Sequence, residues 1–460
     1  MLRGGWGAYR FVTQVNDVSP PLVTAQNVLG YNSPGGKTIM LSQLGKLAYV
    51  PCLSKCINGG QAGFDPGDYG QPLTFAYNLT IDQRIKWNTV LDVAYVGSST
   101  SQLSDDSEGI EGSNFAALAD QNKTPVGSFF KPDPVTGVLS TNPENLGNNP
   151  NGTGSTPTGN VAADYHPYGY AYGTAAAAMI QSSAYSNYNA LQVAWIKTTG
   201  KLGFNLNATW SKTLGTALQT NPFNVNLNYG PTSTDRPFVF NASYYYTTGK
   251  LNTSQTFVNQ ALGGWTISGI TTWQSGGYIP AALGNGVPNF NLGLQYTGLP
   301  VNAKAQGIGS GIGAATYFGT DAALPILPVL TCNPKSGLGH YQRLNGNCFT
   351  APAVGTQGGQ NFPYMSAGAY FDTDLAVYRA FHIHEAQQIQ FRASAFNWLN
   401  HPVPGFSGSG AGSPLGIAYN VDYASKTISN NFNTNTFGIQ DSKTGAPFQR
   451  IITLSVKYFF

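Results

Sequence analysis

The chain has 460 residues, of which 9% are charged, 13% aromatic and 41% hydrophobic, with 56 Gly, 28 Pro and a formal net charge of +3. Soluble domains carry about 25% charged residues, so a standard soluble enzyme is disfavoured; disorder through charge excess fails against the many aromatics. A basic total of 23 against 20 acidic residues leaves no electrostatic footprint for nucleic acid, and no apolar run approaches the ~18 residues of a membrane helix. What fits is a transmembrane β-barrel, with an apolar lipid face, aromatic girdles and a polar lumen.

Alternation of apolar and polar residues with period two marks the strands. Residues 4–13, with Tyr9 and Phe11, are the weakest of them. Segment 73–82 sets Leu73, Phe75, Tyr77, Leu79 and Ile81 against Thr74, Ala76, Asn78, Thr80 and Asp82. Segment 86–96 sets Trp87, Leu91, Val93 and Tyr95 against Asn88 and Asp92. Segments 188–198, 202–212, 236–247, 263–275, 370–379, 386–396 and 450–460 repeat the pattern, with Trp195, Trp210, Phe240, Trp273, Leu375, Phe391 and Leu454 on their apolar sides. That predicts an all-β, antiparallel outer-membrane barrel wall of ten strands.

The nine connections then measure 59, 3, 91, 3, 23, 15, 94, 6 and 53 residues. Every odd connection exceeds its neighbours, as where long extracellular loops alternate with short periplasmic turns. The expected extracellular loops are therefore about 14–72, 97–187, 213–235, 276–369 and 397–449, with a periplasmic C-terminus. Trp87, Phe204 and Trp265 are expected near the periplasmic ends, and Tyr95, Trp210 and Trp273 near the outer ends, as two girdles. Arg84, Lys86, Lys197, Lys201, Lys250 and Lys457 collect on the periplasmic side as solvated residues.

Four cysteines fall into two local pairs, Cys52/Cys56 and Cys332/Cys348. Such spacing predicts disulfides formed in an oxidising compartment, with four free thiols as the alternative. No catalytic constellation assembles, so no enzyme is expected. His382 and His384 beside Glu385 read as turn composition, and no metal or cofactor is expected. Asp372 and Asp374 share the lumen face, either as polar lumen lining or as paired carboxylates; with Arg392 they are the lumen candidates for ligand contact. Tyr165, Tyr168, Tyr170 and Tyr341 in the long loops are expected either to stack on a ligand or to pack the loops together.

The last strand ends in Phe460, with Tyr458, Val456 and Leu454 in register. It resembles the C-terminal signal through which the barrel-assembly machinery adds a strand to its own sheet edge. Further segments resemble one family: Arg3-Gly4-Gly5-Trp6-Gly7-Ala8-Tyr9, Trp87 through Gly97, Ser186 through Gln192, Thr209-Trp210-Ser211-Lys212, Asp235-Arg236-Pro237, and Phe391 through Asn397 with Asn400-His401-Pro402. Together they resemble the barrel of TonB-dependent, Oar-like outer-membrane receptors of the Acidobacteria type. The resemblance implies a barrel of 22 strands preceded by a plug, energised through the inner-membrane TonB complex, and uptake of a large solute. Met1-Leu2-Arg3 leads straight into Gly4-Gly5-Trp6 without a signal peptide, plug or TonB box. Ten strands would leave two open edges, so a C-terminal portion of a longer barrel is expected, with closure of the ten alone as the alternative. An outer-membrane adhesion or structural barrel that only displays its loops is the alternative function.

Overall fold

In a computed structural model, the structure describes residues 1–11, 61–64, 70–103, 122, 124–139, 164–169, 177–180, 182–216, 226, 229–232, 234–249, 263–278, 292–297, 319–320, 328–350, 352–353, 356, 366–384, 387–406, 414–415, 417–422, 427–430, 432–443 and 449–460. Ten strands form one antiparallel wall: β1 (Leu2–Arg10), β2 (Leu73–Ile85), β3 (Thr89–Leu103), β4 (Ala184–Lys197), β5 (Leu202–Gly215), β6 (Phe238–Thr247), β7 (Thr266–Gln274), β8 (Tyr370–His384), β9 (Gln387–Phe396) and β10 (Ile451–Phe459). Each pairs only with its neighbours in chain order, apart from a two-residue strand, Gly230–Pro231, added to β5. β1 and β10 are the edges, and the described strands do not close the sheet. The all-β expectation holds for the wall. Two short parallel pairs join its connections, Gln61–Phe64 with Ala177–Ile180 and Leu292–Thr297 with Ile417–Asp422.

Residues opposite one another in an antiparallel pair lie on the same face, so register tests the alternation. Ile81 pairs Val93, Val93 pairs Val193 and Val193 pairs Ala208. Further along, Trp273 pairs both Phe240 and Phe371, and Val377 pairs Ala393, which pairs Leu454. The apolar sets of all ten strands therefore share one continuous face. Two hydroxyls that fall on this face, Thr271 and Thr373, are direct partners and bond each other at 2.8 Å, which removes the cost of an unpaired polar group.

Most strand ends shift by one to five residues from expectation. β8 runs five residues further, to His384, so His382 and His384, expected in a turn, are strand residues whose backbone pairs with Gln388 and Gln387 across an irregularity in register. β1 covers residues 2–10 rather than 4–13. β3 begins at Thr89 and continues to Leu103, because 86–88 form a tight 3-10 turn in which Trp87 and Asn88 take left-handed φ values of 62° and 53°. Tyr95 is followed by eight more residues of β3, yet it is level with Trp210, since both pair with Leu191 of β4. The rest of the girdle pattern is built. At the end with long connections, Trp210, Phe238 and Trp273 follow one another at centroid distances of 5.0 Å. At the end with short connections, Trp195 meets Phe204 at 4.9 Å and Phe381 meets Phe391 at 5.8 Å. Eight residues separate Trp265 from Trp273, roughly 26 Å along a strand and about 20 Å once tilted by 35–45°, close to the ~25 Å apolar band of an outer-membrane barrel.

Tyrosine rings seat on glycines of the neighbouring strand. A Cβ on Gly97 would lie 2.3 Å from the Tyr77 ring, one on Gly203 2.2 Å from Tyr245, and one on Gly269 2.5 Å from Tyr244. Only a residue without a side chain leaves room for a ring laid flat across the next strand.

Candidate ligand-facing wall and its loops

The face opposite the apolar one carries hydroxyls and amides. Thr74 bonds Thr100 at 2.8 Å, Asn207 donates to Asn205 at 3.0 Å, and Thr272 donates to Asn241 at 3.1 Å. These are neighbours along or across strands, so the polar face satisfies part of its own bonding and keeps the remainder for solvent or solute. Two hollows open on this face. One, of about 690 Å³, lies over β1–β5 between Arg3, Asn78, Asp92, Gln192 and Asn207. The other, of about 600 Å³, lies over β4–β9 between Asn205, Tyr245, Ser268, Asp374, Tyr378 and Arg392. Both have the size of small-molecule sites, ≈ 300–1,000 Å³. The first contains an ion pair, Arg3 to Asp82 at 2.7 Å, with Asp92 4.0 Å from the same nitrogen.

Asp374 and Arg392 thus line one hollow, and Asp372 shares their face without lining it. Each of the two carboxylates has its own partner. Asp374 Oδ1 accepts the backbone N–H of Asn397 at 2.9 Å, fastening the turn after β9. Asp372 Oδ2 accepts from the Tyr370 hydroxyl at 3.4 Å, and its Oδ1 is buried without a hydrogen-bond partner among the described residues. Arg392 donates from Nε to Ser394 Oγ at 3.0 Å and lies 5.6 Å from the Tyr378 ring centre. It therefore stacks on its cross-strand partner and presents a braced cation to the hollow. Among the described residues no group of three His, Cys, Asp or Glu could hold a metal.

The loop tyrosines divide. Tyr165 is 7% exposed and takes the second of its two expected roles, packing the loops together. Its ring packs edge-on against Phe129 at 5.2 Å and its hydroxyl donates to the Lys131 carbonyl at 3.1 Å. It belongs to a knot in which Asp133 Oδ1 accepts from the backbone of Val135 and Thr136 at 2.7 and 2.9 Å. Phe129 N–H donates to Gly319 at 2.8 Å, and the Thr320 hydroxyl donates to the Thr124 carbonyl. Burial first, and then the neighbouring Asp133 carboxylate, push the Asp164 carboxyl above its usual range. Burial likewise raises the Tyr165 phenol. Tyr168 remains half exposed and Tyr341 is 64% exposed. Tyr170 lies outside the described residues, as do Cys52, Cys56 and Lys250.

Tyr341 stands on a second knot. Cys332 and Cys348 are joined in a disulfide, Cα–Cα 4.8 Å. Around it Leu344, Phe349 and Phe437 are buried, and Arg343 Nε donates to Gln440 Oε1 at 2.9 Å. Tyr341 has φ 61°, with the His340 ring 4.0 Å away. The Cys332–Cys348 disulfide is as the spacing predicts; the rest of each knot was not readable beforehand, since it packs segments from different connections. The terminal residues Leu454, Val456, Tyr458 and Phe460 are exposed along the free edge strand, Phe460 at 95%.

A family model described as an outer membrane beta barrel domain matches residues 1–452. No curated protein matches the chain significantly. Among solved structures, the chain is similar to the outer membrane transporter YddB from Escherichia coli, at 8% identity and a TM-score of 0.34. That similarity covers 88% of this chain and 35% of the transporter, so the chain spans about a third of that protein's length.

Proposed function

The chain belongs to the outer-membrane β-barrel domain family, and from this premise we propose that it is the barrel portion of a TonB-dependent, Oar-like receptor that binds and takes up a large solute. An all-β, two-faced wall in the outer membrane is the setting for this reading. The observation that carries it is the pair of hollows on the polar face, one lined largely by amides and hydroxyls, the other by Ile196, Tyr245, Ile270 and Phe396 together with Asp374 and a braced Arg392. A wall that only displayed loops has no need of shaped, partly charged recesses on its inner side.

In this reading the polar face is the lumen and the long connections face the cell exterior. The C-terminus lies in the periplasm, and the chain has no catalytic role. The exposed edge of Leu454, Val456, Tyr458 and Phe460 is offered to the barrel-assembly machinery. Energy comes from the TonB complex acting through a plug. The test is solute accumulation in cells expressing the full gene, with and without a functional TonB complex. Accumulation that stops without TonB supports the reading. Surface binding of the same solute with no TonB-dependent accumulation overturns it in favour of a display barrel, a second reading favoured by the tightly tied loop knots.

A further inference from the structure

An apolar patch interrupts the polar face over β4–β9. Ile196 pairs Asn205, Asn205 pairs Ser243, Ser243 pairs Ile270 and Ile270 pairs Asp374. Phe396 follows Ala395, the partner of Leu375, which sets it beside Asp374 at the end of the same row. Ile270 therefore occupies a place where the alternation of β7 calls for a polar residue, between Ser268 and Thr272. It is 59% exposed, Phe396 43% and Tyr245, two residues along from Ser243, 37%. Single exposed apolar side chains are ordinary. Several gathered in one hollow of about 600 Å³ mark a surface that a ligand covers.

The same hollow carries one charge of each sign. Asp374 lies in the apolar row. Arg392 pairs Tyr378, whose position is four residues from Asp374, roughly 13 Å along the strand. The Nε bond to Ser394 Oγ leans the guanidinium back towards the row, so the charges stand about 7–13 Å apart at two to four residues of strand rise. They do not pair with each other: the ion pairs among the described residues are those of Arg3 with Asp82 and Asp92. A guanidinium held through Nε and laid on a ring keeps its two outer nitrogens in one plane, the geometry that forks onto a carboxylate. Asp374 Oδ1 accepts one backbone N–H, and an ionised carboxylate has room for several donors.

We propose that this hollow binds an apolar zwitterion as the recognised part of the solute, with its carboxylate on Arg392, its ammonium on Asp374 and its apolar body on Ile270, Tyr245 and Phe396. An extended apolar peptide of two to four residues with free termini spans that separation, at about 3.3–3.6 Å per residue. A neutral sugar would leave both charges without a counterpart. The inference rests on the lumen reading of the polar face and names the chemistry of what is held there.

The test is isothermal titration of the full-length protein in detergent, with empty micelles as the blank. The probes are trileucine, its N-acetyl and C-terminal amide derivatives, and maltotriose. Trileucine is expected to bind about ten-fold or more tightly than either derivative, the scale of a hydrogen bond to a charged group. Arg392→Gln should abolish the preference for acid over amide, and Asp374→Asn the preference for free amine over acetyl. Lys457→Gln, a cation of the same face opposite Gln390, should change neither. Equal binding of the three peptides overturns the site, as does the absence of peptide binding. Maltotriose bound as tightly as trileucine also overturns it, because the hollow would then be a stacking surface for sugars. Asp374 also fastens the turn after β9, so folding is checked by heat-modifiable gel migration. Where a variant does not fold, the preferences of the wild-type protein among the derivatives decide. TonB-dependent accumulation of a solute without trileucine binding refutes this inference and leaves the transport reading standing. Trileucine binding without TonB-dependent accumulation refutes transport and supports the hollow's chemistry.

Discussion

Replacing Gly97 by Ala tests whether tyrosine seats hold the wall together. The new methyl group would lie 2.3 Å from Tyr77 Cε2 and 2.5 Å from its Cζ, on the directly paired strand. The ring is not free to swing away. Its hydroxyl donates to Asn189 Oδ1 at 2.8 Å and it stacks on Tyr95 at 6.2 Å. Losing the hydrogen bond costs about 0.5–1.5 kcal/mol and losing the aromatic pair about 0.5–1.5 kcal/mol, together about 1–3 kcal/mol, the range for overpacking. Ala regains about 0.5–1 kcal/mol over Gly in strand conformation. The net expectation is a loss of roughly 0.5–2 kcal/mol. Urea unfolding in phospholipid vesicles, followed by tryptophan fluorescence, reads it. The double variant with Tyr77→Ala removes the clash, so the two changes should couple by about 0.5–3 kcal/mol. A Gly97→Ala protein as stable as its parent, or strict additivity in the double variant, would refute the seating argument.

Three further outcomes follow from the loops. Replacing both Cys332 and Cys348 by Ser, separated by 16 positions, should remove about 3 kcal/mol of local stability; hydrogen exchange should quicken in 328–350 and 432–443 while the wall stays protected. Tyr341→Gly relieves a left-handed φ of 61°, a conformation costing about 1–2 kcal/mol for an L side chain; slower proteolysis at 337–343 is expected, and faster cleavage would show that the side chain holds the turn. The raised Asp164 carboxyl gives the first knot a pH dependence. An acid whose folded pKa exceeds its unfolded value contributes stability that is complete below the unfolded pKa and lost as pH rises through the folded one. Exchange protection of 124–139, corrected for intrinsic rates, should therefore fall from acid towards neutral pH, and Asp164→Asn should flatten that fall.

The wall was legible because period two is a property of each strand alone. Ile452, Leu454, Val456 and Tyr458 announce their face without reference to any partner. The far half of β3 was not, because Gly97-Ser98-Ser99-Thr100 lies beyond the apolar band and offers no contrast between faces, although its backbone still pairs. The polar face was readable as composition, and Asp374 and Arg392 as lining. The hollows were not, since the shape of one arises from residues of five strands and that of the other from six. Which of its two roles Tyr165 takes was not readable, because its burial rests on Phe129 and Lys131, more than thirty positions away. Strand faces are encoded locally, whereas loop packing is encoded between segments that the alternation pattern does not reach.

The ties among connections reach beyond local stability. Residues 61–64 pair with 177–180, Phe129 bonds Gly319, 292–297 pair with 417–422, and Arg343 bonds Gln440. Four of the five long connections are thereby chained in series. A solute approaching from that end meets a lattice that yields collectively, and opening one segment strains the next. Its arrival and departure should show a steep temperature dependence, set by the number of links broken together and not by the hinge of any single loop.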